Sequence, residues 1–116
     1  MAEKTIFHRI ISRELPATII FEDEISIAFK DINPAAPVHI LVVPKSVDIP
    51  RLDTATEEHQ NLLGHLLLVC NKVAKSEGLI KNGYRVVINN GDHALQTVSQ
   101  LHLHVIGGRV MGWPPG

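Results

Sequence analysis

A single cysteine, Cys70, is all the sulfhydryl chemistry this 116-residue chain has, which excludes an internal disulfide framework and a zinc site built from cysteines. Its place inside an apolar helical stretch marks it as core. Neither sign of charge is in excess: 11 Lys and Arg stand against 12 Asp and Glu, with no run of like charges. That balance argues against a nucleic-acid groove and against a polybasic membrane patch, so any anionic ligand must be held by local groups. No window approaches the roughly 20 apolar residues of a membrane span, and the opening MAEKTIFHRI mixes charges without a long apolar stretch. The expectation is a cytoplasmic protein that binds neither membrane nor nucleic acid. Glycine-rich phosphate loops of the G-x-G-x-x-G or G-x-x-x-x-G-K type are missing, as is any regular alternation of strand and helix, which removes the Rossmann and P-loop readings. There is no internal repeat and no low-complexity segment.

What is present is the composition of one globular domain spanning residues 1–116, 45% hydrophobic and 20% charged. So short a chain gains by burying an apolar face against a second copy, which makes a homodimer plausible before any motif is read. Phe7, Ile10 and Ile11 stand at helical spacing between Thr5 and Arg13, with Pro16 beyond, and predict a short helix. Thr18–Glu22 and Ile25–Asp31, parted by the acidic turn Asp23-Glu24, read as a hairpin that Asn33, Pro34 and Pro37 terminate. VHILVVP from Val38 is the continuous β-branched run of a central strand covered on both faces, and Pro44 closes it. Thr54, three residues before Glu57, suggests a capping box opening a long helix to about Ser76. Its apolar positions, from Leu62 and Leu63 through Leu66–Cys70 to Val73 and Ala74, make a stripe wider than one sheet contact requires, so one side could meet a partner helix. Gly78 and Gly83 bracket its exit. Tyr84–Asn89 and about Val98–Ile106 read as two further strands around the polar loop NNGDHALQ. The sum is an antiparallel α+β fold: a five-stranded sheet with one long and one short helix.

Along the last strand Gln100, His102, His104 and Ile106 point to one face, because side chains alternate. Two imidazoles then share a surface with α-carbons about 6 to 7 Å apart. An imidazole on a core face needs partners and lowers stability if left unpaired, so this pairing is better explained by function than by packing. His8, His59, His65 and His93 are read instead as satisfied or exposed side chains. Two aligned imidazoles could chelate a transition metal with His39 as third ligand. The other use is covalent catalysis, in which a neutral imidazole attacks phosphorus and its neighbour stabilises charge on the phosphate oxygens. The strand has no Asp, Glu or Cys, and its neighbours suit a phosphate ester, so the reading carries no metal and no cofactor. Histidine suits the role because an unperturbed pKa of about 6.5 leaves it largely neutral near pH 7.

QTVSQLHLHVIGGRVMGWPPG resembles the H-x-H-x-H signature and tail of the histidine triad family, in its nucleotide-binding (HINT) branch. TIFHRIISRELPATIIFEDE, FKDINPAAPVHILVVPK and RVVINNG are similar to successive blocks of that branch in the same order, so the likeness covers nearly the whole chain. It implies a HIT-like homodimer. It also implies hydrolysis of purine nucleoside 5′-phosphoramidates to nucleoside monophosphate and amine through a nucleotidyl-histidine. By the resemblance His102 is the nucleophile, His104 contacts the phosphate, and His39 supports the catalytic strand from its neighbour. Thr97 stands where a serine hydroxyl commonly serves the phosphate and leaving group. Asp31 receives the ribose hydroxyls, Asn89 lies at the phosphate side, and Gln96 is a further substrate-binding residue. Phe7, Ile10, Leu15 and Ile32 line the purine pocket, and Trp113 reaches toward the partner subunit's site.

Two positions depart from the pattern. Gln100 replaces the first histidine of the triad; it offers a backbone carbonyl and an amide but cannot take a proton near pH 7, so activity is expected to persist with altered rate or pH dependence. Ala94-Leu95 stand where the family often has glycine, and a side chain there narrows backbone access to phosphates. Cleavage of dinucleoside polyphosphates and a catalytically weak nucleotide sensor remain the alternatives.

Overall fold

The computed structural model describes residues 4–46 and 48–116; the first three residues of the opening segment lie outside it. Helix α1 (Ile6–Ile11) starts on Thr5, whose hydroxyl accepts the His8 N–H while the His8 ring accepts the Thr5 N–H, a reciprocal cap. It ends earlier than its spacing predicts. Ser12 caps it by donating back to the His8 carbonyl, and Arg13 then turns left-handed at φ 67°.

Strands β1 (Ile19–Glu22), β2 (Ser26–Lys30), β3 (Val38–Pro44), β4 (Tyr84–Val87) and β5 (Leu103–Gly107) form one five-stranded sheet in the order β1-β2-β3-β5-β4. Every neighbouring pair is antiparallel, so the α+β architecture is the expected one. Both faces of β3 are covered, as its unbroken apolar run requires. Ala28, Ile40, Val42, Leu101, Leu103 and Val105 face helix α2 (Gln60–Ser76) and its Leu66, Val69, Cys70 and Val73. Ile27, Phe29, Leu41 and Val43 face the other way, toward Phe7 and Ile10 of α1. The period-two alternation thus sorts the chain into a large core under α2 and a smaller one under α1, and the histidines project on the α1 side.

The capping box at Thr54 and Glu57 does not form. Thr54 ends a 3₁₀ turn (Leu52–Thr54) in which its hydroxyl donates to the Arg51 carbonyl at 2.7 Å, and a second 3₁₀ turn (Glu57–His59) precedes α2. With its hydroxyl engaged upstream, Thr54 leaves the helix to begin at Gln60. At the exit, Gly78 takes φ 74° and the Leu79 N–H reaches back to the Ala74 carbonyl at 2.9 Å, a glycine-terminated stop. The stripe on α2 is indeed too wide for the sheet: Leu67 and Leu68 remain 52% and 64% exposed.

Asp23 ties the β1–β2 turn to α2. One carboxylate oxygen accepts from Ser26 N–H at 2.7 Å, the Ser26 hydroxyl at 2.8 Å and Ile25 N–H at 3.0 Å, and the other meets His65 Nε2 at 2.8 Å. Partial burial opposes its charge, but the hydrogen bonds from the Ser26 hydroxyl, the Ile25 amide and His65 outweigh that and hold its pKa down at about 2. A carboxylate with a depressed folded-state pKa stabilises fully above its unfolded value of about 3.9, and that stability is lost as pH falls through the folded value. Asp23→Asn is therefore expected to cost about 1–2 kcal/mol at pH 7, a figure reduced for its partial solvent exposure. Urea unfolding of both proteins from pH 7 to pH 2 checks this: the gap should close toward pH 2, and a gap independent of pH contradicts it.

Candidate active site

His104 lies in β5 opposite Leu41 of β3 and Val87 of β4, and His39 lies one step along β3, opposite Ile106. His102 stands just before the strand. The expected strand from Val98 is shorter because its partners run out: Leu103 pairs with Val42, β3 ends two residues later at Pro44, and β4 ends at Val87. The backbone before it is held otherwise, by Gln100 N–H on the Val98 carbonyl at 2.8 Å and Leu101 N–H on the Ile49 carbonyl at 2.6 Å. The alternation survives this. Leu101, Leu103 and Val105 enter the α2 core, while the rings of His102 and His104 sit on the other face with centroids 4.9 Å apart.

The partners of each ring fix where its hydrogen lies. His102 Nδ1 is 2.7 Å from the Gln100 carbonyl, which can only accept, so Nδ1 carries the hydrogen and Nε2 keeps its lone pair. His39 Nδ1 accepts the Ala35 N–H at 2.9 Å, so its hydrogen is on Nε2 and is donated to His104 Nδ1 at 2.8 Å. His104 must then carry its hydrogen on Nε2, a buried atom with no hydrogen-bond partner among the described residues. Two adjacent neutral rings are thus held in opposite tautomers. One presents a lone pair and the other an N–H.

Electrostatics keep both neutral. Burial lowers the His102 pKa below its ordinary value, against the opposing pull of the Gln100 carbonyl and the Asp31 charge. Burial, then repulsion from His102 and His39, takes His104 down to about 4, with Asp31 again opposing. Near pH 7 the nucleophilic lone pair on His102 needs no base to expose it.

The other predicted residues divide into two groups. Phe7 stands edge-on to His102 with centroids 4.9 Å apart, and Ile10 and Leu15 share its cluster. Asp31 reaches to within 3.5 Å of His39 Nε2 while its other oxygen accepts the Asn33 N–H. Gln100 is buried beside His102. Asn89 lies two residues beyond Val87, past the end of β4, and is half-buried. Thr97 and Ile32 are exposed, and Trp113, 83% exposed, lies over Arg85 of its own chain at 6.0 Å. Gln96 holds the loop together: its carbonyl oxygen accepts Gly91 N–H and its amide donates to Pro50 and Val98 carbonyls. With both ends engaged, its side chain is a brace for the loop. Leu95 takes φ 62° on this loop and points to solvent, 78% exposed. Sequence reasoning passed over Thr5 and Ala35, since contacts set by a helix cap and by a turn leave no periodic signal. His8, His59 and His65 are hydrogen-bonded, to Asp48, to the Thr56 N–H and to Asp23 respectively, as expected of satisfied side chains.

Asp31, His39 and His104 bring ligand-type atoms within 4.8 Å of one another, the only such group of three among the described residues. Two imidazole nitrogens on one tetrahedral zinc stand about 3.3 Å apart from bond lengths of about 2.0–2.1 Å, whereas these are 2.8 Å apart and share a proton. His102 brings no ligand atom into that group, so among the described residues the predicted trio of His39, His102 and His104 does not converge. A cavity of about 650 Å³ lies elsewhere, at the edge-strand end, lined by Leu79, Tyr84, Arg85 and Arg109 and by no histidine. A smaller one of about 130 Å³ touches Asp31 and His39. The imidazoles of His102 and His104 lie on the α1 side of the sheet and line neither hollow.

The family model described as HIT domain matches residues 12–111. An uncharacterised HIT-like protein of Synechocystis is 55% identical over 116 residues, covering all of both chains. Adenylylsulfatase HINT1 of Arabidopsis thaliana is 51% identical over 113 residues, 97% of this chain and 76% of the relative. The crystal structure of a HIT family hydrolase from Legionella pneumophila superposes with a TM-score of 0.94 at 42% identity, covering 97% of this chain and all of that one. The paired imidazoles of His102 and His104 and the match along nearly the whole sequence lead to one conclusion: this chain belongs to the HIT domain family.

Proposed function

We propose that the protein hydrolyses purine nucleoside 5′-phosphoramidates by way of a covalent nucleotidyl-His102. The observation that carries this reading is the pair of opposite tautomers, a lone pair on His102 Nε2 beside an unpartnered N–H on His104. His102 Nε2 attacks the α-phosphorus, and the P–N bond to the amine breaks with its electron pair going to nitrogen, which leaves protonated by solvent. The phosphoryl group is then bonded to an imidazolium. Water attacks that phosphorus, the bond pair returns to His102 Nε2, and the products are nucleoside monophosphate and a proton. His104 donates from Nε2 to a non-bridging oxygen, which grows more negative as the phosphorus is attacked. His39 keeps that donor aimed by occupying the other nitrogen, and Asp31 is placed to accept from the ribose hydroxyls. Thr97 and Asn89 serve the phosphate, while Phe7, Ile10, Leu15 and Ile32 bound the purine.

The unpartnered apolar side of α2 at Leu67 and Leu68, the edge strand β4 and the exposed Trp113 favour a homodimer in which the tail completes the partner's site. Sedimentation should give twice the 12.8 kDa chain mass; a monomer at micromolar concentration contradicts the assembly.

The same intermediate serves other leaving groups, and the name of the Arabidopsis relative favours adenylyl sulfate as a second substrate. Turnover of tryptamine-linked AMP phosphoramidate, adenylyl sulfate and diadenosine tetraphosphate, compared by kcat/KM, tests the assignment. The phosphoramidate should lead. A lead by the tetraphosphate supports the dinucleotide reading instead, and AMP binding without turnover of any of the three identifies a sensor.

A further inference from the structure

One hydrogen bond joins residues 95 apart in the chain and reaches the nucleophile from behind. The Thr5 hydroxyl, which already accepts the His8 N–H as the cap of α1, donates its only hydrogen to Gln100 Oε1 at 2.6 Å. Gln100 is 2% exposed, and its Nε2 donates to the Pro44 carbonyl at 3.3 Å. A carbonyl can only accept, so the amide nitrogen faces Pro44 and the amide oxygen faces the Thr5 hydroxyl. The orientation of the amide is therefore determined. The backbone carbonyl of the same glutamine accepts the hydrogen of His102 Nδ1 at 2.7 Å. One residue thereby connects the cap of α1, the end of β3 and the catalytic ring.

α1 contributes a second constraint from the same cap. Phe7 follows Thr5 by two residues and places its edge against the His102 ring at a centroid distance of 4.9 Å. The cap is itself braced: Thr5 N–H donates to His8 Nδ1 at 2.9 Å, which puts the His8 hydrogen on Nε2, 2.9 Å from Asp48. The His102 ring is thus held at Nδ1 through Gln100 and flanked by Phe7, and Thr5 governs both.

We infer that Thr5 is a positioning residue of the reaction proposed above: its hydroxyl, acting through Gln100 and through α1, holds His102 in the tautomer whose Nε2 is the nucleophile. The inference rests on that reading for its catalytic consequence, but its structural content, the tautomer of His102, is measurable without substrate. Removing the hydroxyl leaves Gln100 Oε1, on a buried side chain, without its protein donor. The amide then turns or residues 97–101 shift, the Gln100 carbonyl moves off Nδ1, and a fraction of His102 rings carry the hydrogen on Nε2, where they cannot attack. A histidine at the first triad position would titrate; glutamine makes this support independent of pH near neutrality.

The test compares Thr5→Val, which keeps the shape and loses the hydroxyl, with Thr5→Ser, which keeps the hydroxyl. ¹⁵N shifts of the His102 ring in the substrate-free proteins report its tautomer, and kcat, KM and AMP affinity are measured alongside. Thr5→Val should show a mixed His102 tautomer and a fall in kcat of about tenfold with KM and AMP affinity within about twofold, on the scale of one lost buried hydrogen bond. Thr5→Ser should restore both readouts. A wild-type tautomer in Thr5→Val overturns the inference. So does a joint loss of kcat, AMP affinity and α1 signals that Thr5→Ser fails to repair, since that is merely an unfolded helix. If no protein turns over the phosphoramidate, the proposed reaction fails, while the ring shifts still decide the role of Thr5.

Discussion

His102→Asn is expected to reduce turnover of a nucleoside phosphoramidate by a factor on the order of 10³ to 10⁴, while AMP still binds. The loss is large because no neighbouring group can substitute. His104 presents N–H at the position from which attack would come, and its Nδ1 is engaged by His39. Asparagine keeps an N–H donor for the Gln100 carbonyl, so the loop before β5 has no reason to rearrange. The native enzyme carries a companion signature in pH. Burial lowers the pKa of His102, which keeps the ring neutral at pH values where an exposed histidine is half protonated. The profile of kcat/KM should stay level from pH 8 to below about 6.5, the ordinary histidine value, and fall only in more acid solution. An acid limb centred above pH 7 contradicts a buried neutral nucleophile.

His104→Ala is expected to lower kcat by about 10² to 10³ with little change in KM, the size found when one donor to a developing oxyanion is removed. The donor is unpartnered among the described residues; in the proposed reaction its acceptor is the phosphate oxygen, so its strength would be exerted on the transition state. The same fact predicts an unusual stability. A buried donor without a partner costs about 1–3 kcal/mol, so its removal offsets the packing lost with the ring. His39 Nε2 loses its acceptor in the variant, but the Asp31 carboxylate stands 3.5 Å away to receive the hydrogen. Thermal unfolding should therefore find His104→Ala within a few degrees of the native protein. A kcat that falls only in proportion to lost folded protein contradicts the role given to the ring.

The architecture was legible where apolar period and breakers coincide. VHILVVP is β3 from first residue to last, because a strand buried on both faces and closed by proline admits no other reading. The edges of elements were less legible. Thr54 and Glu57 have the spacing of a capping box, yet the Thr54 hydroxyl serves a 3₁₀ turn, a choice that local sequence does not reveal. The start of β5 was misplaced because a strand needs partners, and where β3 and β4 stop is a tertiary fact. In the site, period two placed His102 and His104 on one face even though only His104 lies within the strand. Their opposite tautomers were not legible, since they are set by Gln100, Ala35 and His39, which come from three separate segments. Gln96 shows the converse: a polar side chain expected to bind substrate whose hydrogen bonds all turn inward.

The central claim is that His102 Nε2 forms a bond to phosphorus. Mixing the protein with tryptamine-linked AMP phosphoramidate, quenching within the first turnover and sequencing the digested peptides by mass measures this directly. The account predicts an AMP adduct on the peptide containing His102, located on that ring and absent from His102→Asn. Product formed at the native rate with no adduct, or with the label on His104 or His39, contradicts it.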